Sequence, residues 1–326
     1  MFQVHAADSA GSVVFRKRLR RQQVLSFFAA QPRWRVAMEA CGGAHHWARE
    51  IGKLGHEVRL IAPAYVKPFV KRKNDMADAE AICEAAQRPT MRFVAVKSEA
   101  RQASAVIFRT RDLLVRQRTQ LINALRGHLA EYGRIAPQGP SHVERLIGEI
   151  EDTASGLPEA ARNCLVYLVA ALRELEEKVA ALDKQIAARA KQDDTARRLM
   201  SIPGVGPLIA TAIEALAPPP ETFRSGRDFA AWIGLTPRQK SSGGKERLGR
   251  TSRMGERSLR RLLITACSTV VQWARRKGVP ATTWLGQMLA RKPTMLVVVA
   301  LANKTARVAW ALLAKGGVYQ APAVPA

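Results

Sequence analysis

Leu165, Leu168, Leu172, Leu175, Val179, Leu182 and Ile186 recur at alternating spacings of three and four residues, with the charges of ELEEK set among them. This period puts all of them on one stripe of a helix and excludes a strand, whose side chains change face at every residue. A helix this long must bury its stripe against something. Two readings stay open: a coiled-coil seam joining copies of the chain, and an amphipathic helix packed inside its own domain. The seam, and with it self-association, is the reading carried forward.

Before that helix the pattern differs. FQVHAAD (Phe2 to Asp8), a turn SAGS and SVVFRKRL (Ser12 to Leu19) read as a hairpin, and RVAMEA (Arg35 to Ala40) and EVRLIAP (Glu57 to Pro63) as buried strands. Helical stretches at Gln22 to Ala30 and His45 to Leu54 accompany them, so an α/β layer fold with a mixed sheet is expected. From Glu99 to Tyr132 the pattern is helical, with Arg109, Arg111, Arg116, Arg118 and Arg126 supplying much of a basic face. PQGP (Pro137 to Pro140) is a breaker and marks a domain edge. The expected division is an α/β domain over residues 1–138, a coiled-coil region over 139–195 and a mainly α domain over 196–326.

The last of these opens with LMSIPGVGPLIATAIEAL (Leu199 to Leu216). A helix ends near Ile202, Pro203 with Gly204 and Gly206 makes a tight turn, and a second helix starts near Pro207 with free amides at its N-terminus. A helix-hairpin-helix of this form docks backbone N–H groups on a DNA phosphate without reading sequence; a plain αα-hairpin is the alternative. Farther on, almost no apolar residue occurs between Pro237 and Arg253, and Gly243, Gly244 and Gly249 free the backbone, so a long functional loop is expected. It holds Ser241 and Ser242 among Arg238, Lys240, Lys245, Arg247, Arg250 and Arg253. Cations cannot deprotonate a serine, but they hold a phosphate beside it and stabilise charge that develops there. A phosphate-contacting loop with incidental serines is the other reading.

Charge narrows the class of partner. The chain of 326 residues carries 52 Lys and Arg against 27 Asp and Glu, a formal +25. A phosphate backbone supplies the missing negative charge and releases counterions on binding, which makes nucleic acid the expected partner. With 47% hydrophobic residues the chain buries real cores and is not a disordered basic tail. Cys41, Cys83, Cys164 and Cys267 form no CxxC pair, which argues against a zinc knuckle and for reduced thiols in a cytoplasmic protein. The run MLVVVALANKTARVAWALLA from Met295 is broken by Asn303, Lys304 and Arg307; it reads as a buried helix, not a membrane span, and no signal peptide is visible. His45 and His46 are adjacent, point about a hundred degrees apart on a helix and make a poor metal pair. Trp232, Trp273, Trp284 and Trp310 are expected in the core, and QAPAVPA (Gln320 to Ala326) as a disordered tail.

Acids stand out in so basic a chain. In KRKNDMADAEAI (Lys71 to Ile82), Asp75 and Asp78 follow three bases. Asn74 or Asp75 as N-cap, acids in the first turn and an apolar face through Met76, Ala79 and Ile82 make this a helix start. Glu39 ends a predicted buried strand, where a charge is expensive unless it is paired or binds a metal. Mg²⁺ takes a few carboxylates and leaves its other positions to water and phosphate oxygens, so Glu39, Asp75 and Asp78 make a reasonable candidate set.

MEACG around Glu39, KNDMADA around Asp75 and Asp78, the heptads, IPGVG, and GLTPRQKSSGG around Ser242 together resemble the DEDD-type insertion-sequence transposases, the bridge-RNA-guided recombinases of bacterial mobile elements. The resemblance runs over nearly the whole length. It implies an RNase H-like domain akin to Holliday-junction resolvases, a coiled coil, and a C-terminal domain bearing a serine. It further implies Mg²⁺ on four acids, a serine that attacks a DNA phosphate, assembly into dimers or tetramers on double-stranded DNA, and a guide noncoding RNA that chooses the sequence by pairing. Residue by residue, Glu39, Asp75 and Asp78 match the second, third and fourth acids, and Ser242 the serine, with Ser241 the lesser candidate.

The family's first acid lies in a G-x-D-x-x-K segment on the strand before FQVH, and Met1 stands just after that point. Asp8 falls in the turn after FQVHA, the second strand of the family's order, and is no substitute, and the basic segment before Asp75 is about one residue short of the family pattern. The expectation is a chain that keeps the fold and nucleic-acid binding but recombines poorly or not at all. A derivative that binds without chemistry is one alternative, and a hydrolytic resolvase-like nuclease is another.

Overall fold

Two strands, β1 (Phe2–Ala7) and β2 (Val13–Leu19), pair antiparallel in a register running from Phe2↔Leu19 to Ala7↔Val13. Asp8 closes their turn, its carboxylate accepting from the amides of Ala10 and Ser12 at 2.9 and 2.8 Å. The computed structural model describes residues 1–70, 74–139 and 142–321. These divide into two units, Met1–Gln102 and Ala103–Ala326.

In the first unit, β3 (Arg35–Glu39) and β4 (Glu57–Ile61) run parallel, and α2 (Ala44–Lys53) makes the crossover between them. β5 (Phe93–Val94) adds antiparallel to β4, which gives a mixed sheet of order β3-β4-β5. The β1–β2 hairpin forms a sheet of its own. α1 (Gln23–Ala29) supplies Val24 and Phe28 to a core with Leu19, Trp47 and Ile51, on which Phe2 closes edge-to-face with Trp47 at 5.1 Å between ring centroids. On the opposite side, Val66 of α3 (Pro63–Val66) joins Ala81 and Ala85 of α4 (Asp75–Gln87) over Ile61. α4 packs across both β1 and β3, and so bridges the two sheets.

The second unit is nearly all helix. α5 (Glu99–Ala130), which starts in the first unit, α6 (Val143–Glu151) and α7 (Glu159–Gln192) share one core, in which Leu125, Leu129, Ile150 and Leu172 are at most 1% exposed. Fully burying each such side chain contributes about 1.5–3 kcal/mol. α8 (Asp194–Leu199), α9 (Pro207–Leu216), α10 (Gly226–Ile233), α11 (Arg257–Lys277) and α13 (Thr294–Lys315) build a second core around Ile213, Phe229, Leu263 and Val297; α12 (Trp284–Arg291) rests Leu285 and Met288 against it. α13 is long and apolar enough to cross a membrane, but Val297, Val298, Ala302 and Ala306 are at most 1% exposed within this core, in keeping with the buried helix expected.

Several expectations change. Part of the heptad stripe is covered within the chain: Leu165, Leu172, Val179 and Ile186 are at most 5% exposed, the first two beside Ile122, Leu125 and Leu129 of α5 and the last beside Phe108, whereas Leu168, Leu175 and Leu182 stay half-buried. The basic face on α5 is partly consumed, since Arg111 binds Asp183, Arg116 pairs with Asp112, and Arg126 donates to the carbonyls of Ala136 and Gly139. The residues from Pro237 to Arg253 are not an open loop but a hairpin of β6 (Pro237–Gln239) and β7 (Leu248–Thr251), because paired glycines permit a tight turn. The unit boundary falls at Gln102 instead of 138, because α5, α6 and α7 pack on one another across the PQGP break. Trp273 is not a core residue; it is 64% exposed. Lys71 to Lys73, Pro140 and the end of the expected tail lie outside the described residues.

Candidate functional site

Asn74 caps α4, its side-chain oxygen accepting from Ala77 N at 2.8 Å, so Asp75 and Asp78 fall in the first helical turn where the helix dipole favours a negative charge. Their three-residue spacing places both on one face. Asp75 is exposed and Asp78 half-buried. Glu39 is the last residue of β3, half-buried, at the carboxyl end of a parallel strand where α/β folds concentrate their ligand sites. These oxygen donors have the chemistry that Mg²⁺ accepts. Among the described residues, however, no three His, Cys, Asp or Glu side chains are placed closely enough to hold a metal ion. The structure therefore sets Glu39, Asp75 and Asp78 in one unit without drawing them into a closed cluster.

His45 Nδ1 accepts from Lys97 N at 3.2 Å, and exposed His46 lies edge-on to Trp47.

Ser242 belongs to the other unit. It opens a two-residue turn, with Lys245 N donating to Ser242 O at 3.1 Å and with φ of +56° at Gly243 and +75° at Gly244. Positive φ at both central residues is the type I′ turn, whose twist matches the flanking strands; glycine adopts it without strain. The adjacent serines then differ. Ser241 Oγ accepts from Arg247 N at 3.1 Å, whereas the Ser242 hydroxyl has no hydrogen-bond partner among the described residues.

Arg238, Lys240, Lys245, Arg247, Arg250 and Arg253 are all exposed along this arm, and none forms an ion pair among the described residues. Leu248, an apolar side chain of the arm, is 73% exposed. The root of the arm, by contrast, is tightly held. Gly234 (φ +82°) ends α10 and Gly255 (φ +70°) precedes α11; a Cβ on Gly255 would stand 1.6 Å from the Trp232 carbonyl oxygen. Arg260 Nη1 ties the root by donating to the carbonyls of Ile233 and Met254 at 2.8 and 2.7 Å. No sequence pattern singled out Arg260; its i+4 spacing from Glu256 reads as an ordinary helix-surface pair.

The IPGVG segment joins α8 and α9 through a turn with Gly204 at φ +82° and Gly206 as the α9 N-cap, followed by Pro207. Ile202 and Val205, 4% and 5% exposed, pin the turn to the core. The amides of Gly204, Gly206 and Leu208 donate to nothing among the described residues, which leaves a small set of unsatisfied N–H groups at a helix N-terminus.

A family model described as "Transposase IS116/IS110/IS902 family" matches residues 196–279, and one described as "Transposase", of the DEDD type of IS110, matches residues 1–133. The chain is 47% identical over 98% of its length, and 96% of the relative's, to a probable family 20 transposase of Pseudomonas aeruginosa. It is 44% identical to the putative transposase y4pF/y4sB of Sinorhizobium fredii, over 98% of the chain and 83% of that protein. Against the transposase for insertion sequence element IS1328 of Yersinia enterocolitica it is 39% identical over 98% of the chain and 95% of the relative. With a mixed α/β region under the first model and a helical region bearing the serine arm under the second, the chain belongs to the IS110/IS116 family of insertion-sequence transposases, proteins of DNA recombination.

Proposed function

We propose that this transposase exchanges DNA strands by serine attack on a phosphodiester, with Ser242 as the nucleophile. The observation that supports this reading is the unpartnered Ser242 hydroxyl at the tip of an exposed arm whose six cations form no ion pair among the described residues. Attack forms an Oγ–P bond and breaks the bond from phosphorus to one sugar oxygen; the proton that Oγ loses is balanced by one taken up by the departing oxygen. A sugar hydroxyl of the incoming strand then attacks phosphorus and releases the serine. Arg238, Lys240, Lys245, Arg247, Arg250 and Arg253 hold the phosphate and offset the charge that builds on its oxygens.

Glu39, Asp75 and Asp78, which are not clustered in this structure, would have to draw together to hold Mg²⁺, which would supply Lewis-acid polarisation of a phosphoryl oxygen when bound. Support for this comes from the DEDD-type family match and from the all-oxygen donor set. A guide noncoding RNA selects the sequence by pairing while the basic surface holds backbone, and the working form is a dimer or tetramer on double-stranded DNA in the cytoplasm; the family resemblance and the +25 charge support these points. A second reading, a derivative that binds without chemistry, is favoured by the lack of a three-acid cluster among the described residues.

The test incubates the chain with Mg²⁺, guide RNA and end-labelled duplex bearing the element's ends, then resolves the products on a denaturing gel. Labelled DNA attached to protein is expected from the wild type and from Ser241→Ala, and none from Ser242→Ala. An adduct from Ser242→Ala would refute the nucleophile, and duplex binding by the wild type without any adduct would favour the binding-only reading.

A further inference from the structure

The inner stripe of α11 runs through Leu259, Leu263, Cys267, Val271 and Ala274, all buried, and Trp273 lies off it. At 64% exposed, Trp273 presents most of an indole to solvent, which is uneconomical for a side chain that contributes so much when buried. Its surroundings are cationic. Arg275, Arg276 and Lys277 fill the last turn, all exposed, and none forms an ion pair among the described residues. Gln272, Arg275 and Arg276 line an open recess of about 360 Å³ on this helix, and Arg276 stands one turn beyond Trp273 on the same face.

The IPGVG turn docks one turn earlier on this helix. A Cβ on Gly204 would lie 2.6 Å from Val270 Cγ2, so the turn rests directly on Val270, three residues before Trp273. The unsatisfied amides of Gly204, Gly206 and Leu208 and the Trp273 ring are thereby set on neighbouring parts of one surface, with Arg276 and Lys277 at its far side.

We infer that this surface binds a single-stranded segment of nucleic acid, with Trp273 stacking an unpaired base and the flanking amides and cations holding phosphates on either side of it. An aromatic face accepts any base, and cations spaced around it track the backbone; a duplex keeps its bases stacked inside and offers no such face. A purely apolar protein partner would not call for three unneutralised cations around the ring. The inference rests on the chain's action on nucleic acid but not on Ser242 or on metal.

The experiment measures fluorescence anisotropy of a labelled twelve-nucleotide thymidine strand and of a labelled twelve-base-pair duplex, without Mg²⁺, against the full chain. Trp273→Ala is expected to weaken single-strand binding roughly tenfold and duplex binding less than twofold, and Trp273→Phe to retain most of it. Arg276→Ala with Lys277→Ala is expected to lower the salt slope of single-strand binding by about 1.4. Single-strand affinity unchanged in Trp273→Ala would overturn the inference, and a change of oligomeric state in that variant, read by light scattering, would then identify the surface as a contact between copies. Ser242→Ala should leave the single-strand affinity unchanged, so failure of the nucleophile and failure of this surface are read separately.

Discussion

Arg111 grips the carboxylate of Asp183 with two hydrogen bonds, Nε at 2.5 Å and Nη2 at 3.0 Å, and so ties α5 to α7 within one chain. About two turns away Arg189 Nη1 donates to Ser104 Oγ at 2.6 Å, in the order that antiparallel helices require. Part of the heptad stripe thus packs within its own chain, and Leu168, Leu175 and Leu182 stay half-buried. Leu172→Ala is expected to cost about 2–5 kcal/mol of stability, as truncation of a fully buried leucine does. Urea denaturation checks it; a midpoint that rises with protein concentration would show instead that the stripe joins two copies.

Arg111→Ala should be milder. Asp183 is 43% exposed, and water replaces part of what the guanidinium gave, so a loss of about 1 kcal/mol is expected. A double-mutant cycle with Asp183→Ala isolates the pair term, and a coupling near zero would mean that packing alone holds the two helices.

The root of the serine arm is a sharper test of the fold. At Gly255 a methyl group would combine a left-handed backbone with a collision against the Trp232 carbonyl, so Gly255→Ala is expected to lose about 3 kcal/mol or more. Thermal unfolding reads this directly. Gly243→Ala, at the open tip with nothing within 4 Å, should cost only about 1 kcal/mol.

The acids of α4 separate folding from chemistry. Asn74→Ala removes the cap and should cost about 1 kcal/mol while leaving activity. Asp78→Asn, by contrast, keeps size and helix but removes a charge, and is expected to abolish the covalent DNA adduct with little change in melting temperature. An undiminished adduct in Asp78→Asn would exclude that carboxylate from the reaction.

His5 makes stability depend on pH. Burial first, and then the Arg16 guanidinium whose Nε lies 3.4 Å from its ring, push its pKa down, with Glu80 opposing. The unfolded chain then takes up the proton first, so stability is full above about pH 6.5 and falls as the pH drops from there toward the folded pKa. Urea midpoints at pH 7.5 and 5.5 should show this loss, and His5→Gln should lessen it.

Much of the architecture was legible because it is written in local periods. The alternation in FQVHAAD and SVVFRKRL specifies a hairpin, and the stripes of α5 and α7 specify helices, since each period records which face of an element is apolar. The Asn74 cap and the Asp8 turn depend only on neighbours a few residues away, and the structure has both. Reading the polar stretch from Pro237 to Arg253 as a loop failed where it weighed polarity above turn chemistry: Gly243 and Gly244 already carried the signal of a two-residue hairpin.

What the sequence alone determined, then, is which faces are apolar, where the charges cluster, and to which family the motifs point. Only the tertiary structure decided what covers each face. A heptad stripe states that a helix needs a partner but not whose, and the packing on α5 depends on Phe108, Leu125 and Arg111, which stand about forty or more residues from the α7 groups they meet. The same holds for Trp273: its distance from the stripe of α11 is local, but its exposure follows from where the Gly204 turn docks, and that is a matter of packing between segments remote in the chain.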